Sequence, residues 1–254
     1  MTNTDIISGC TPKLIAIPGI ARPQQAMRAS NLLVYGEIHG IRENADVIYT
    51  LVHELRIKQI AIENSPSIKD FIDLASRGIY DFSRIDPDTF DLSILSLEVA
   101  KTIATLLKEG VIDTVAYIDT FFDSPDRLAL DHPDSPQTRE QVLAENILGL
   151  DTAYRTLCLM GQWHTQPEPI QSDGILHTSA LCRIRRVRQD ALCAHMIYRA
   201  GRAYNCGHVL DLPERSDVSH RYEVRPRSSL DFDIHVPYAR PTVLDEPNTS
   251  TDYR

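Results

Sequence analysis

Two short apolar runs in this chain stop at the same signal. Leu32-Leu33-Val34-Tyr35 is followed by Gly36-Glu37-Ile38-His39, and Leu157-Cys158-Leu159-Met160 by Gly161-Gln162-Trp163-His164. A run of four apolar residues has no polar alternate to offer water, so each is expected to be a strand buried on both faces, the habit of parallel sheets. The glycine permits a sharp turn. The histidine then falls just past the strand's carboxyl end, where open α/β sheets keep their ligands. Two histidines so placed can face one site.

The segments between these runs alternate in the same sense. Residues 43–55 put Ile48, Leu51, Val52 and Leu55 on one helical face, and residues 59–63 return as a strand, which makes a βαβ unit. A right-handed crossover lays its two strands side by side or one apart, with Glu63 at the same sheet edge as His39. Residues 92–109 read as a helix ended by Gly110, and 114–118 as a strand ending at Asp119. Further on, 139–154 and 189–200 read as helices, and 208–212 and 232–236 as late strands. Residues 68–90 read as a short helix and a loop over the site, and a loop with Pro125, Pro133 and Pro136 precedes residue 139. The expected fold class is α/β: a single domain over residues 1–246, with a mostly parallel central sheet flanked by helices and the site at the carboxyl ends of the strands. Residues 247–254 are polar and expected to be a disordered tail.

Composition narrows the partners. A formal net charge of -9 and a pI near 5.4 repel nucleic acid and anionic membrane surfaces, so neither is expected as a partner. Arg183, Arg185, Arg186 and Arg188 form one local basic run, with Arg183 and Arg186 as candidate docking points for an acidic substrate segment. Five scattered cysteines without a C-x-x-C pair indicate neither a disulfide framework nor a cysteine metal site. With no leader-like start and no long apolar stretch, a cytoplasmic protein is expected.

Glu37, His39, Glu63 and His164 titrate or ligate metals, and all four follow apolar strands at the loop-bearing edge. Two chemistries are open. A carboxylate can orient a histidine that takes a proton from water attacking a carbonyl, a general-base role worth about 10² to 10⁴ in rate. Alternatively His39, His164 and Glu63 can hold a divalent ion such as Mn, Co, Zn or Fe with one open position. Trp163 can line the pocket. Ser65 and Cys158 lack a nucleophile's surroundings, and the other seven histidines, His177 and His195 among them, sit in no comparable pattern.

The stretches Tyr35-Gly36-Glu37-Ile38-His39-Gly40-Ile41-Arg42-Glu43-Asn44, Ile60-Ala61-Ile62-Glu63, Arg139-Glu140 and Gly161-Gln162-Trp163-His164 together resemble the superfamily of erythromycin esterases, ChaN-like haem-binding proteins and Tiki/TraB proteases. The resemblance spans residues 31–165 in order. It implies His39, His164, Glu37, Glu63 and Arg139 as catalytic residues, with Arg139 at an oxyanion; Trp163, Glu43, Arg183 and Arg186 are the expected substrate contacts beside them. It further implies a hydrolase of an amide or ester bond, on a peptide or modified peptide from a natural-product pathway. The same residue types serve intramolecular cyclisation or elimination, haem or other ligand binding without catalysis, and macrolide-type ester hydrolysis.

Overall fold

Both apolar runs are strands with every residue buried, and they lie side by side at the centre of one sheet. The computed structural model describes residues 12–79, 95–120, 138–172, 175–205 and 208–242. In chain order these form α1 (Ala21–Ala26), β1 (Leu32–Glu37), α2 (Glu43–Leu55), β2 (Gln59–Ile62), α3 (Lys69–Ser76), α4 (Leu97–Lys108) and β3 (Thr114–Tyr117). Next come α5 (Arg139–Leu148), β4 (Thr156–Gly161), β5 (Ile170–Ser172), β6 (Ile175–His177), α6 (Ala180–Val187) and β7 (Leu192–Tyr198). The last are β8 (Gly201–Asn205), β9 (His208–Leu212), β10 (Glu223–Pro226) and β11 (Asp231–Val236).

The chain forms an α/β fold with a seven-stranded sheet in the order β10-β11-β7-β1-β4-β2-β3. Only β10 runs antiparallel to its neighbour. β1 and β2 are one apart because β4 inserts between them. The chain steps out from β1 to β2 and β3, returns to β4, then crosses β1 to β7 and β11. Strand order therefore reverses beside β1, where α/β sheets open a crevice.

Alternation along the strands divides the core into two layers. Leu33, Tyr35, Ile60, Ile62, Leu157 and Leu159 join Ile48, Leu51, Val99 and Ile103 of α2 and α4. Leu32, Val34, Ala61, Cys158 and Met160 join Leu143, Ile147, Leu181 and Ile184 of α5 and α6. Every strand residue near the site is thus pinned from above and below. Truncating one such side chain, as in Leu33→Ala, costs about 2–5 kcal/mol.

The structure corrects three readings. Residues 189–200 are not a helix: Leu192–Tyr198 is β7, paired with β1 on the side away from β4, and the helix there is α6, ahead of it. A seven-residue apolar run with one polar member suits a strand buried on both faces, and its single histidine, His195, is satisfied by the Thr165 carbonyl at 2.8 Å. The helix expected over 139–154 stops at Leu148, where Gly149 caps it with its N–H on the Glu145 carbonyl at 2.9 Å. Residues 208–212 form a strand as expected, β9, paired with β8 in a separate hairpin. The helix expected over 92–109 begins at Leu97, behind a Ser96 side-chain cap. Of residues 68–90, 68–79 are described and contain α3, which packs against α4; residues 80–90, the proline loop and the tail lie outside the described residues.

Candidate active site

The first Gly-x-x-His segment ends β1. Glu37 closes the strand and is buried, held by the Asn44 amide from the first turn of α2. Asn44 is itself fixed: its Nδ2 also donates to the Ile38 carbonyl at 3.0 Å, and its Oδ1 accepts from the Tyr198 hydroxyl at 2.5 Å. Two residues past Glu37 stands His39, with Nδ1 3.4 Å from Glu37 Oε1 and Nε2 3.9 Å from Glu63 Oε2. Its Nδ1 is buried against Glu37, and its side chain keeps 17% of its surface open to solvent.

The second segment builds the opposite wall. Past β4 the chain makes a 3₁₀ turn over Gln162–Thr165 that carries His164. His164 bridges two carboxylates, with Nδ1 2.5 Å from Glu140 Oε1 and Nε2 3.1 Å from Glu63 Oε1. Glu140 sits in the first turn of α5, and its second oxygen accepts the backbone N–H of Ala180, the first residue of α6, at 2.7 Å. Glu63, just past β2, accepts the Gly161 N–H at 2.7 Å and Arg139 Nη2 at 2.6 Å. Arg139, the first residue of α5, also reaches Asp119 at the end of β3, at 2.7 Å, and lies 3.2 Å from His164 Nε2. Four adjacent strands, β1, β4, β2 and β3, therefore deliver the site in register.

Each segment's glycine makes room for the other segment. A Cβ on Gly161 would stand 2.8 Å from His39 Nε2, and one on Gly36 would stand 2.2 Å from Thr165 Oγ1. The recurring glycine is thus a clearance between neighbouring strands. The two motifs are one site.

Charge is unevenly divided. Burial alone would raise the Glu63 carboxyl, but the hydrogen bond and charge of His164, with His39 and Arg139, outweigh it and hold it down at about 2. Burial opposes a charged His164, yet its hydrogen bonds to Glu140 and Glu63 push it up to about 9. Burial raises Glu37 against the pull of His39. For His39, burial opposes the charge, and Glu37 and Glu63 overcome it to raise the ring above its ordinary value. At neutral pH Glu63 is ionised and His164 is a cation with both N–H groups committed. His39 differs in keeping Nε2 beyond hydrogen-bond distance of a carboxylate, 3.9 Å from Glu63 Oε2.

The expected ligand set does come together, but it does not suit a metal. Arg139 places its guanidinium within hydrogen-bond reach of both His164 Nε2 and Glu63 Oε1, where a cation would need those lone pairs. Both nitrogens of His164 already meet carboxylates. Among the described residues, no group of three or more His, Cys, Asp or Glu is arranged to hold an ion.

Other expected contacts scatter. Trp163 lies at the site, 47% exposed, its ring 4.9 Å from that of His177. Glu43 does not face the cleft: it is buried, with Oε1 2.6 Å from Arg240 Nε and Oε2 accepting the Arg240 N–H at 2.8 Å. Within the basic run, Arg183 bonds the Thr178 carbonyl and Arg185 pairs with Asp231, while Arg186 is exposed in the last turn of α6. Only the amino end of α6 touches the site, so Arg186 lies about 9 Å along the helix from it at 1.5 Å per residue.

Sequence reasoning gave Glu140 no chemical role because a carboxylate in a helix's first turn is explained by the dipole. The adjacent Arg139 was the available signal. Tyr198 was hidden by reading β7 as a helix, and His177 lies in a short hairpin without periodicity. No α-helix among the described residues is long and apolar enough to cross a membrane.

No protein-family model matches the chain, and no curated protein matches it. Two solved structures are similar in shape. One is the C-terminal region of Pasteurella multocida toxin, described as holding a thiol-protease-like catalytic triad, at TM-score 0.48 and 12% identity, covering 79% of this chain and 26% of that one. This chain thus spans about a quarter of that protein's length. The other is a succinoglycan biosynthesis protein, at TM-score 0.49 and 10% identity, covering 96% of this chain and 99% of that one.

Proposed function

We propose that the chain is a hydrolase or acyl-transfer enzyme for an amide or ester bond, most readily in a peptide, and that it belongs with the esterase, ChaN-like and Tiki/TraB superfamily its motifs resemble. The observation that carries this reading is the pairing of unlike histidines about one carboxylate, Glu63. His39 Nε2 stands 3.9 Å from Glu63, outside hydrogen-bond distance, with the buried Glu37 behind Nδ1, while His164, pushed up to about 9, is charged at neutral pH beside Arg139.

The chemistry follows from those states. His39 takes a proton from water as the water oxygen bonds to the substrate carbonyl carbon, and Glu37, 3.4 Å away, steadies the imidazolium that forms. The carbonyl π pair moves to oxygen, and the nearby charges of the Arg139 guanidinium and the His164 imidazolium offset the oxyanion that forms. When the tetrahedral intermediate collapses, the bond to the leaving amine or alcohol breaks and the His39 proton passes to it. Glu63, at about 2, gives up no proton in this cycle and holds His164, Arg139 and the Gly161 N–H in place.

Incubation of N-acyl amino-acid esters and capped dipeptides with the enzyme in heavy-oxygen water tests this. The expected result is product acid carrying one heavy oxygen, with release abolished in His39→Ala. Turnover unaffected by His39→Ala would remove the assignment, and product without heavy oxygen would show that the attacking group belongs to the substrate.

A further inference from the structure

The turn that carries His164 is locked at every residue but one. Gln162 donates to the Met196 carbonyl, and its own carbonyl accepts from Thr165 Oγ1 at 3.1 Å and Gln166 Nε2 at 2.9 Å. His164 is clamped by Glu140 and Glu63, and the Thr165 carbonyl by His195 at 2.8 Å. Trp163, between them, is 47% exposed, and among the described residues its indole N–H has no partner. A lone exposed apolar residue is ordinary on a protein surface. A rigidly presented one, adjoining a candidate catalytic histidine, is not accounted for by packing.

A ring contact helps to hold it. His177, on β6, lies against the indole with ring centroids 4.9 Å apart at 36°, and its Nε2 is 3.5 Å from Glu140 Oε1, the oxygen that meets His164. That nitrogen is buried and makes no hydrogen bond. The Glu140 carboxylate therefore links the shelf to His164, and among the described residues the half-exposed indole has no hydrogen-bond partner for its N–H.

We propose that Trp163 and His177 form a side-chain subsite taking an aromatic group next to the scissile carbonyl, with the indole face stacking on the ring and the indole N–H donating to a backbone carbonyl of the substrate. This rests on the function proposed above for the same cleft. An aromatic occupant is favoured because a flat, fixed face rewards offset stacking beyond simple area burial, by about two- to tenfold in affinity. The N–H fits a peptide, which presents a backbone carbonyl on the atom next to each side chain's Cα.

Trp163 is the chain's single tryptophan, so its emission reports on the shelf alone. N-acetyl-phenylalaninamide and N-acetylglycinamide would be titrated into the wild type and into His39→Ala, which lacks the proposed base. The expected result is a saturable change in emission with the phenylalanine compound in both proteins and none with the glycine compound. By calorimetry, Trp163→Ala and His177→Gln each weaken the phenylalanine compound about two- to tenfold, and Trp163→Phe restores part of the loss. No saturable response, or equal responses to both compounds, overturns the subsite even where hydrolysis is observed. Binding without any turnover of esters or amides keeps the subsite and removes the hydrolase.

Discussion

Replacing Glu140 with Gln changes one charge and almost no shape. The side-chain carbonyl still accepts the Ala180 N–H that joins α5 to α6. The new NH₂ group, however, faces His164 Nδ1 as a donor and favours a neutral ring with its proton on Nε2. In the wild type His164 is raised from 6.5 to about 9 against the cost of burial. At about 1.4 kcal/mol per unit, those two and a half units are worth about 3 kcal/mol of linkage. Because the folded value is the higher one, this stability is fully present below pH 6.5 and is lost as pH rises through about 9. Glu63 supplies the acid limb: lowered from 4.5 to about 2, its contribution is present above 4.5 and lost as pH falls through 2. Part of both limbs is the one His164–Glu63 contact seen from its two partners, and it counts once. Urea unfolding between pH 4 and 10, with NMR titration of the histidine rings, reads the effect. In Glu140→Gln, burial keeps its full weight against a single remaining carboxylate, so the ring titrates well below 9 and most of the alkaline loss disappears. A wild-type His164 titrating at or below 6.5, or identical alkaline limbs in the two proteins, would refute the reasoning.

The two glycines separate function from stability. Gly161→Ala meets only the far end of the His39 ring, so turnover is expected to fall at least tenfold while urea stability shifts by about 1 kcal/mol or less; full activity would show that the ring position is immaterial. Gly36→Ala meets Thr165 Oγ1 and the buried His195 ring at 2.7 Å, so it should instead lower stability by about 1–3 kcal/mol or more, and an unchanged midpoint would count against the packing described. Elemental mass spectrometry of protein purified without chelator is expected to find no stoichiometric Mn, Fe, Co or Zn, because Arg139 occupies the cation's place; one equivalent of any of them, lost in His39→Ala/His164→Ala, would reverse that reading.

Much of the sheet was readable because its central strands bury both faces and so carry no polar alternate. The same property misled at β7, where an apolar run of seven residues looks alike as a buried helix or a buried strand. The edge position of Glu63 followed from crossover handedness, but the insertion of β4 between β1 and β2 did not, since strand order depends on packing far along the chain. At the site, His39, His164, Glu63 and Glu37 were readable as strand-end residues. That Glu140 binds His164 was not, because the contact joins the start of a helix to a turn 24 residues later. Glu43 shows the converse error, since a charge inside a motif can be spent on an ion pair, here with Arg240 across 197 residues of sequence.

His39 acts as the base opposite a His164 that is charged at neutral pH. The most direct test of that role is the pH–rate profile for hydrolysis of an N-acetyl-phenylalanine ester by the wild type and by His39→Asn, with folding checked by circular dichroism. The predicted result is turnover that rises with pH as His39 loses its proton, above that ring's ordinary 6.5, and a fall of about 10² to 10⁴ in a folded His39→Asn protein. A folded His39→Asn protein with the wild-type rate and profile would contradict it.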